Sequence, residues 1–172
     1  MEEQIMNMPA VALRGLTILP GMIAHFDISR ERSLRAVEEA MEQDQKIYLV
    51  TQRNVDSEDP TQEDLYQMGI VADIKQVVRL QNDVVRILVD GISRAALLGF
   101  TDNEKYLEAE ICYCDSNADS LPEDLREAML LGVREAFHRY AAVVGKISKE
   151  LIRQIDQYED LEKLIDYVTG VI

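Results

Sequence analysis

Two histidines and two cysteines are all that this chain of 172 residues offers as imidazole bases and thiol metal ligands. His25 and His138 fall in different halves, so no histidine pair at ligand spacing exists, and each reads as a packed or surface group. Cys112 and Cys114 form a C-x-C on one expected strand. A structural zinc site needs about four ligands and no second pair follows, while a bridge between near neighbours would be strained. The two therefore read as half-buried thiols, with no metal site. A glycine-rich phosphate loop of the form G-x-x-x-x-G-K-[ST] is also missing, so ATP has no recognisable seat and no cofactor is expected in this chain. Ser148-Lys149 lies at an expected helix start, where a serine serves first as a cap. No catalytic constellation emerges from these spacings, and the chain reads as a non-enzymatic binding or scaffolding piece.

Long apolar runs are lacking too. The longest are far short of the ~20 residues a membrane helix requires, and polar residues interrupt each one. Glu2, Glu3 and Gln4 follow Met1 where a secretory signal would place basic residues, so a cytoplasmic protein is expected. Basic charge is scarce: 32 acidic residues against 18 basic ones give a net charge of −14. Most of that excess precedes Ser116, with 21 acidic and 11 basic residues before it. Such a field repels a phosphate backbone, which disfavours nucleic acid as a partner.

What is present is a regular alternation of short apolar segments, 47% hydrophobic overall, enough to bury a core in one or two domains. Residues 9–21, Pro-Ala-Val-Ala-Leu-Arg-Gly-Leu-Thr-Ile-Leu-Pro-Gly, are almost wholly apolar, yet Arg14-Gly15 breaks the run and Pro20-Gly21 closes it. That punctuation predicts a strand, a bent connection and a second strand from about Met22. Met22, Ala24, Phe26 and Ile28 would share one face. Ser29 is positioned to cap a helix from Arg30 to about Gln43, with Leu34, Val37 and Met41 beside Ala40 as its apolar stripe. Lys46 to Val50 reads as a strand. Residues 54–64 carry five carboxylates and Pro60, a solvated loop without calcium-loop spacing, after which Leu65-Tyr66 returns to the core. Gly69 to about Leu80 and Val84 to Val89 form a hairpin about Asn82-Asp83, two residues that tolerate positive φ. Asp90-Gly91 ends the second strand, and the sheet resumes from Ile92 to Phe100. A last strand over residues 107–113 places Leu107, Ala109, Ile111 and Tyr113 inward, with Glu108, Glu110 and Cys112 on the wet face.

From Ser116 the period becomes helical. Ser120-Leu121-Pro122-Glu123 reads as a capping box opening a helix with Leu125, Met129, Val133, Ala136, Tyr140 and Val144 on its apolar stripe, closed by Gly145. Ser148 would start a second helix with Leu151, Ile152 and Ile155, and Leu161, Leu164, Ile165 and Val168 mark a third. The expectation is an α+β chain: a mostly antiparallel β pseudo-barrel with one early helix over residues 1–117, then a small helical subdomain over 118–172.

Leu13-Arg14-Gly15 with Leu19-Pro20-Gly21-Met22, Arg30-Glu31-Arg32-Ser33 before Ala36-Val37-Glu38-Glu39-Ala40-Met41, Thr51-Gln52, Asp59-Pro60, Asp64-Leu65-Tyr66, Gly69-Ile70-Val71-Ala72 and Val85-Arg86-Ile87-Leu88-Val89-Asp90-Gly91-Ile92-Ser93-Arg94-Ala95 follow one another in order. Together they resemble the N-terminal domain of the ATP-dependent Lon proteases. His25, and Asn82-Asp83 where that family usually carries a glycine turn, depart from its pattern. The resemblance implies a PUA-like β domain and a helical subdomain that in full-length Lon precede an ATPase module, which takes ATP and magnesium, and a Ser-Lys peptidase module. It implies that unfolded or damaged proteins are the partners, and that the domain supports a homohexameric ring, with a weak dimer open to the isolated piece. The end at Ile172, inside a helical pattern, reads as a truncation. The alternative is a stand-alone LON-domain adaptor with no protease attached. Leu16, Ile18, Leu19 and Met22 in the bent opening run are the candidate substrate contacts, with the core as the competing place for their side chains.

Overall fold

A computed structural model describes residues 5–114 and 118–172. It divides into two compact units, Met1–Cys114 and Asp115–Ile172. The first holds six strands, β1 (Ile5–Leu13), β2 (Ile23–Ile28), β3 (Lys46–Thr51), β4 (Met68–Arg79), β5 (Val85–Phe100) and β6 (Glu108–Tyr113), and one α-helix, α1 (Glu31–Glu42).

The strands run in the order β2-β5-β4-β3-β1-β6, and β5 also pairs with β6. Five strands thus close on themselves, β1-β3-β4-β5-β6 and back to β1, while β2 lies along the first half of β5. Only β1 and β3 are parallel, with Ala10 opposite Tyr48. The near-continuous apolar stretches of β1 and β3 have a direct cause: both faces of these strands are buried. Val11, Leu13, Ile47 and Leu49 join Ala36, Val37 and Ala40 of α1 in one cluster. Met8, Ala10, Ala12, Tyr48 and Val50 join Ala95, Leu97, Ala109 and Ile111 in the other.

The alternation expected in β2 is observed, with His25 and Asp27 exposed and Ile28 buried. Asn82 and Asp83 have φ of 59° and 56°, the left-handed pair that a tight hairpin needs. Asp90-Gly91 does not end a strand. β5 runs through it for 16 residues, and the pairing to β4 skips Ile92 there, a bulge that bends the long strand. Cys112 is buried rather than wet, because β6 is flanked on both sides, by Ile5 and by Ala96 at that position. In α1 the N-cap is Arg30, not Ser29, and the buried stripe is Ser33, Ala36, Val37 and Ala40, with Met41 exposed. The small residues win the inward face because they let the helix lie close to the sheet.

The second unit contains α2 (Glu123–Val144), α3 (Lys149–Gln157) and α4 (Leu161–Val171). Pro122, not Ser120, is the N-cap of α2; Ser120 belongs to a preceding 3-10 turn, and Glu123 and Asp124 sit where the helix dipole favours acids. Gly145 closes α2 at φ 66°, and the Ser148 hydroxyl accepts from the Leu151 N–H at 3.1 Å to open α3. The core consists of Leu130, Phe137, Ala141, Ile155, Leu161 and Leu164. The expected stripe of α2 is therefore misplaced: Leu125, Met129, Ala136, Tyr140 and Val144 are exposed, and only Val133 packs partly inward.

Candidate functional site

The bent run after β1 is fastened to the sheet by backbone groups. Gly21 N–H donates to Gly91 O at 2.7 Å, Gly91 N–H to Met22 O at 3.0 Å, and Met22 N–H to Leu19 O at 3.1 Å. A Cβ on Gly91 would lie 2.3 Å from Leu19 O, so glycine is what allows this approach. Gly15 and Gly21 adopt φ of 63° and 74°, which accounts for the two breaks in the apolar sequence. At the other end the Thr51 hydroxyl donates to Leu16 O at 2.8 Å.

Facing this run is the return of the acidic loop. Tyr66 N–H donates to Thr51 O at 3.0 Å, Arg53 N–H to Asp64 O at 2.7 Å, and Arg53 Nε to Leu65 O at 2.9 Å. These bonds set the Arg53 guanidinium 4.7 Å from the Tyr66 ring centroid, a cation–π contact. Between the two segments lies a cleft of about 470 Å³, bounded by Ile18, Leu19, Arg53, Tyr66 and Met68. Tyr66 and Met68 are 47% and 48% exposed on its rim. Beneath it, a Cβ on Gly69 would strike the Tyr48 ring at 2.5 Å, so the bare glycine backbone admits that ring. The Tyr48 hydroxyl donates to Ala95 O at 3.0 Å, and burial pushes its pKa well above the ordinary phenol value, which keeps it neutral.

The acidic loop is held from below. Ser57 O accepts from Gln52 Nε2 at 3.0 Å, Arg30 Nη2 at 2.9 Å and Arg14 Nη2 at 3.3 Å, and buried Gln52 in turn accepts from Arg30 Nη1 at 3.0 Å. The Asp64 carboxylate accepts from Thr61 N–H and hydroxyl at 2.8 and 2.9 Å, which holds its pKa below the usual carboxylate range.

The four residues expected from sequence therefore take three positions. Ile18 is 5% exposed and belongs to the core, though it also borders the cleft. Leu16 and Met22 pack partly against that same core. Leu19 is half-buried and lines the cleft. Sequence reasoning passed over Arg53, Tyr66 and Met68. Tyr66 was expected in the core with Leu65, but only Leu65 is buried, because alternate residues of an extended segment face opposite ways. The other sparse groups stay apart: His25 is exposed on β2, while His138 bonds Asp156 at 2.8 Å on the surface of the helical unit. Cys114 is exposed, its Sγ 3.6 Å from Met68 Sδ. The cleft gathers apolar, thioether and aromatic groups with two arginines, Arg53 and Arg94, a chemistry suited to holding apolar side chains. No helix among the described residues is long and apolar enough to cross a membrane.

Comparison with known proteins gives concordant matches. Residues 7–172 match the model of the ATP-dependent protease La (LON) substrate-binding domain. The chain is 36% identical over 169 residues to the Lon protease of Lachnoclostridium phytofermentans, which covers 98% of the chain and 21% of that protein. It is 35% identical over 169 residues to the Lon protease of Clostridioides difficile, covering 96% of the chain and 22% of the relative. The chain thus spans about a fifth of the length of these curated relatives. Among solved structures, the N-terminal domain of a Mycobacterium avium complex Lon protease superposes with a TM-score of 0.73 at 17% identity, over 94% of this chain and 80% of the other. The Lon N-terminal domain protein of Xanthomonas campestris gives 0.55 at 14% identity, over 96% and 98%. At such identities the two structures speak for the fold.

Proposed function

The chain belongs to the Lon substrate-binding domain family, and from that premise we propose that it engages unfolded or damaged proteins through the cleft between residues 17–19 and 66–68. In this reading it serves in the cytoplasm as the non-catalytic N-terminal part of an ATP-dependent serine protease and supports assembly of its hexameric ring. The observation that carries the substrate reading is the cleft's rim. A tyrosine and a methionine stand half exposed beside Leu19, held there by backbone bonds to Thr51 and by the Arg53 guanidinium. Unfolded chains differ from folded ones in displaying apolar side chains, and a pre-formed apolar and aromatic concavity takes them without first reorganising. Methionine adapts to many shapes, which suits a partner defined by chemistry rather than by sequence.

The test is the affinity of the purified chain for a permanently unfolded, reduced and alkylated protein, read by fluorescence anisotropy. Met68→Glu and Tyr66→Glu put charge on the rim without touching the buried core, and each should weaken binding at least fivefold with the melting temperature unchanged. Unaltered binding by both variants would place the substrate surface elsewhere.

A further inference from the structure

A second, smaller cleft in the β unit gathers positive charge that no carboxylate pairs with. It lies where the end of β1 and the start of the bent run meet β2 and the opening of α1, and it holds about 160 Å³. Arg14, Ser29, Arg30 and Ser33 line it, with Leu13 and Phe26 among its apolar walls. Arg14 and Arg30 converge on one acceptor, Ser57 O, at 3.3 and 2.9 Å. Neither arginine has an ion pair among the described residues. Burial, and then the nearby charge of Arg14, lower the Arg30 pKa, and Glu58 and Asp59 offset part of this from a distance. Asp27 also borders the cleft, but Arg86 takes both of its oxygens, at 2.7 and 2.9 Å.

The start of α1 adds donors. Its N-cap, Arg30, makes no side-chain bond to the first turn, and Leu34 N–H to Arg30 O is the first bond of the helix. The N–H groups of Glu31, Arg32 and Ser33 thus have no helix partner, and the dipole adds partial positive charge there. Glu31, the acid of this turn, pairs with Arg35. Ser33 supplies the observation that points to a ligand. It is only 5% exposed and lines the cleft, yet its hydroxyl has no hydrogen-bond partner among the described residues. A buried hydroxyl without a partner is costly, and this one still reaches the cleft space.

We propose that this cleft binds a phosphate group, with Arg14, Arg30, the Ser33 hydroxyl and the first N–H groups of α1 as its donors. The room fits: about 160 Å³ is about five water volumes, and a phosphate is one phosphorus with four oxygens. Those oxygens point to the corners of a tetrahedron and accept from several directions, whereas the two oxygens of a carboxylate share a plane. Two arginines, a hydroxyl and a helix start match the tetrahedral acceptor. The overall charge of −14 is screened beyond about 8 Å at physiological salt, so the local donors decide. A bound phosphate ties the bent run, through Arg14, to α1, through Arg30 and Ser33. The same chemistry reaches the cleft as inorganic phosphate or as a phosphate monoester. This site shares no lining residue with the cleft between residues 17–19 and 66–68, and it goes beyond the substrate reading.

The test follows the amide resonances of residues 30–33 by NMR as inorganic phosphate is added to the purified chain at constant ionic strength. They should shift and saturate in the millimolar range. Arg14→Gln should weaken binding at least about tenfold and Ser33→Ala about threefold. The melting temperature without phosphate should stay in place for both, since Arg14 is exposed and the Ser33 hydroxyl has no partner to lose. Phosphate affinity unmoved by both variants overturns the proposal, as do shifts that chloride reproduces at the same ionic strength. Acetate binding as tightly as phosphate overturns it too, because a planar carboxylate would then serve as well. O-phosphoserine separates the two sources of a site that stands. Tighter binding than inorganic phosphate identifies a phosphate carried on another molecule, and weaker binding identifies inorganic phosphate itself.

Discussion

The two units of this chain solve the burial problem differently. In the β unit, a ring of paired strands gives β1 and β3 two buried faces each, and Ile47, Tyr48 and Ile111 are wholly enclosed. In the helical unit, three helices enclose a single small core about Phe137, Ile155 and Leu164. A helix presents its side chains all round, so a bundle of three short helices covers one stripe on each and leaves the remainder to water. Val143, 88% exposed at the end of α2, belongs to that remainder. The lesson is that exposed apolar surface arises by opposite routes in the two units. In the β unit part of it, at Tyr66 and Met68, is a rim held up by specific backbone bonds; in the helical unit it is a whole helix face that the local core does not reach.

If the units are independent cores, a cavity in one should leave the other standing. Phe137→Ala removes the largest side chain of the helical core and should cost that unit about 3–5 kcal/mol. Calorimetry should then show the helical transition moved to much lower temperature and the β-unit transition in place. A single transition that moves as a whole would break the comparison, because it would mean that the two cores melt together.

The matching perturbation in the β unit is Gly91→Ala. The added methyl meets Leu19 O at 2.3 Å and Ile70 Cδ1 at 3.1 Å, so the bent run must move off the sheet. The expected cost is about 1–3 kcal/mol, read as a lower urea midpoint for the β unit alone. Binding of an unfolded protein should fall further than this stability loss explains, since Leu19 lines the cleft. A variant that loses stability but keeps full affinity would separate the bent run from the site.

These contrasts also explain what could be read from residues alone. Strand alternation in β2, the Asn82-Asp83 turn and the Gly145 and Ser148 helix boundaries rest on local chemistry, and each lies where the sequence places it. The inward stripe of α1 is met at Val37 and Ala40 and missed at Met41, and that of α2 is missed except at Val133, because periodicity cannot rank two neighbouring apolar faces. In α1 the alanine face wins by closeness to the sheet; in α2 the face with Phe137 wins over the one with Met129. The cleft was half legible. Leu19 stood out as an apolar residue between two breaks, whereas Arg53 and Tyr66 meet only because the chain between them, residues 54–65, is tied back onto Thr51. Such a closure has no signature in spacing.

The smallest expected effect concerns charge in the β unit. Asp73 on β4 receives Lys46 Nζ of β3 at 2.8 Å and Lys75 Nζ at 3.3 Å. The hydrogen bond from Lys46, aided by Lys75, holds the Asp73 carboxyl below the usual range, and the same bond raises the Lys46 pKa. Since the folded Asp73 pKa is the lower one, its contribution is complete above about pH 4, where the unfolded group titrates, and disappears as pH falls through the folded value. The Lys46 side of the bond is complete below about pH 10 and is lost only above it. Both partners are partly exposed, so solvent screening limits the pair, and Asp73→Asn should cost under about 1 kcal/mol at pH 7. That difference should shrink as the pH falls below about 4 and diminish in molar salt, and it should appear in the β-unit transition only. A helical transition that shifted equally with Asp73→Asn would tie the two units together by a route that their separate cores do not contain.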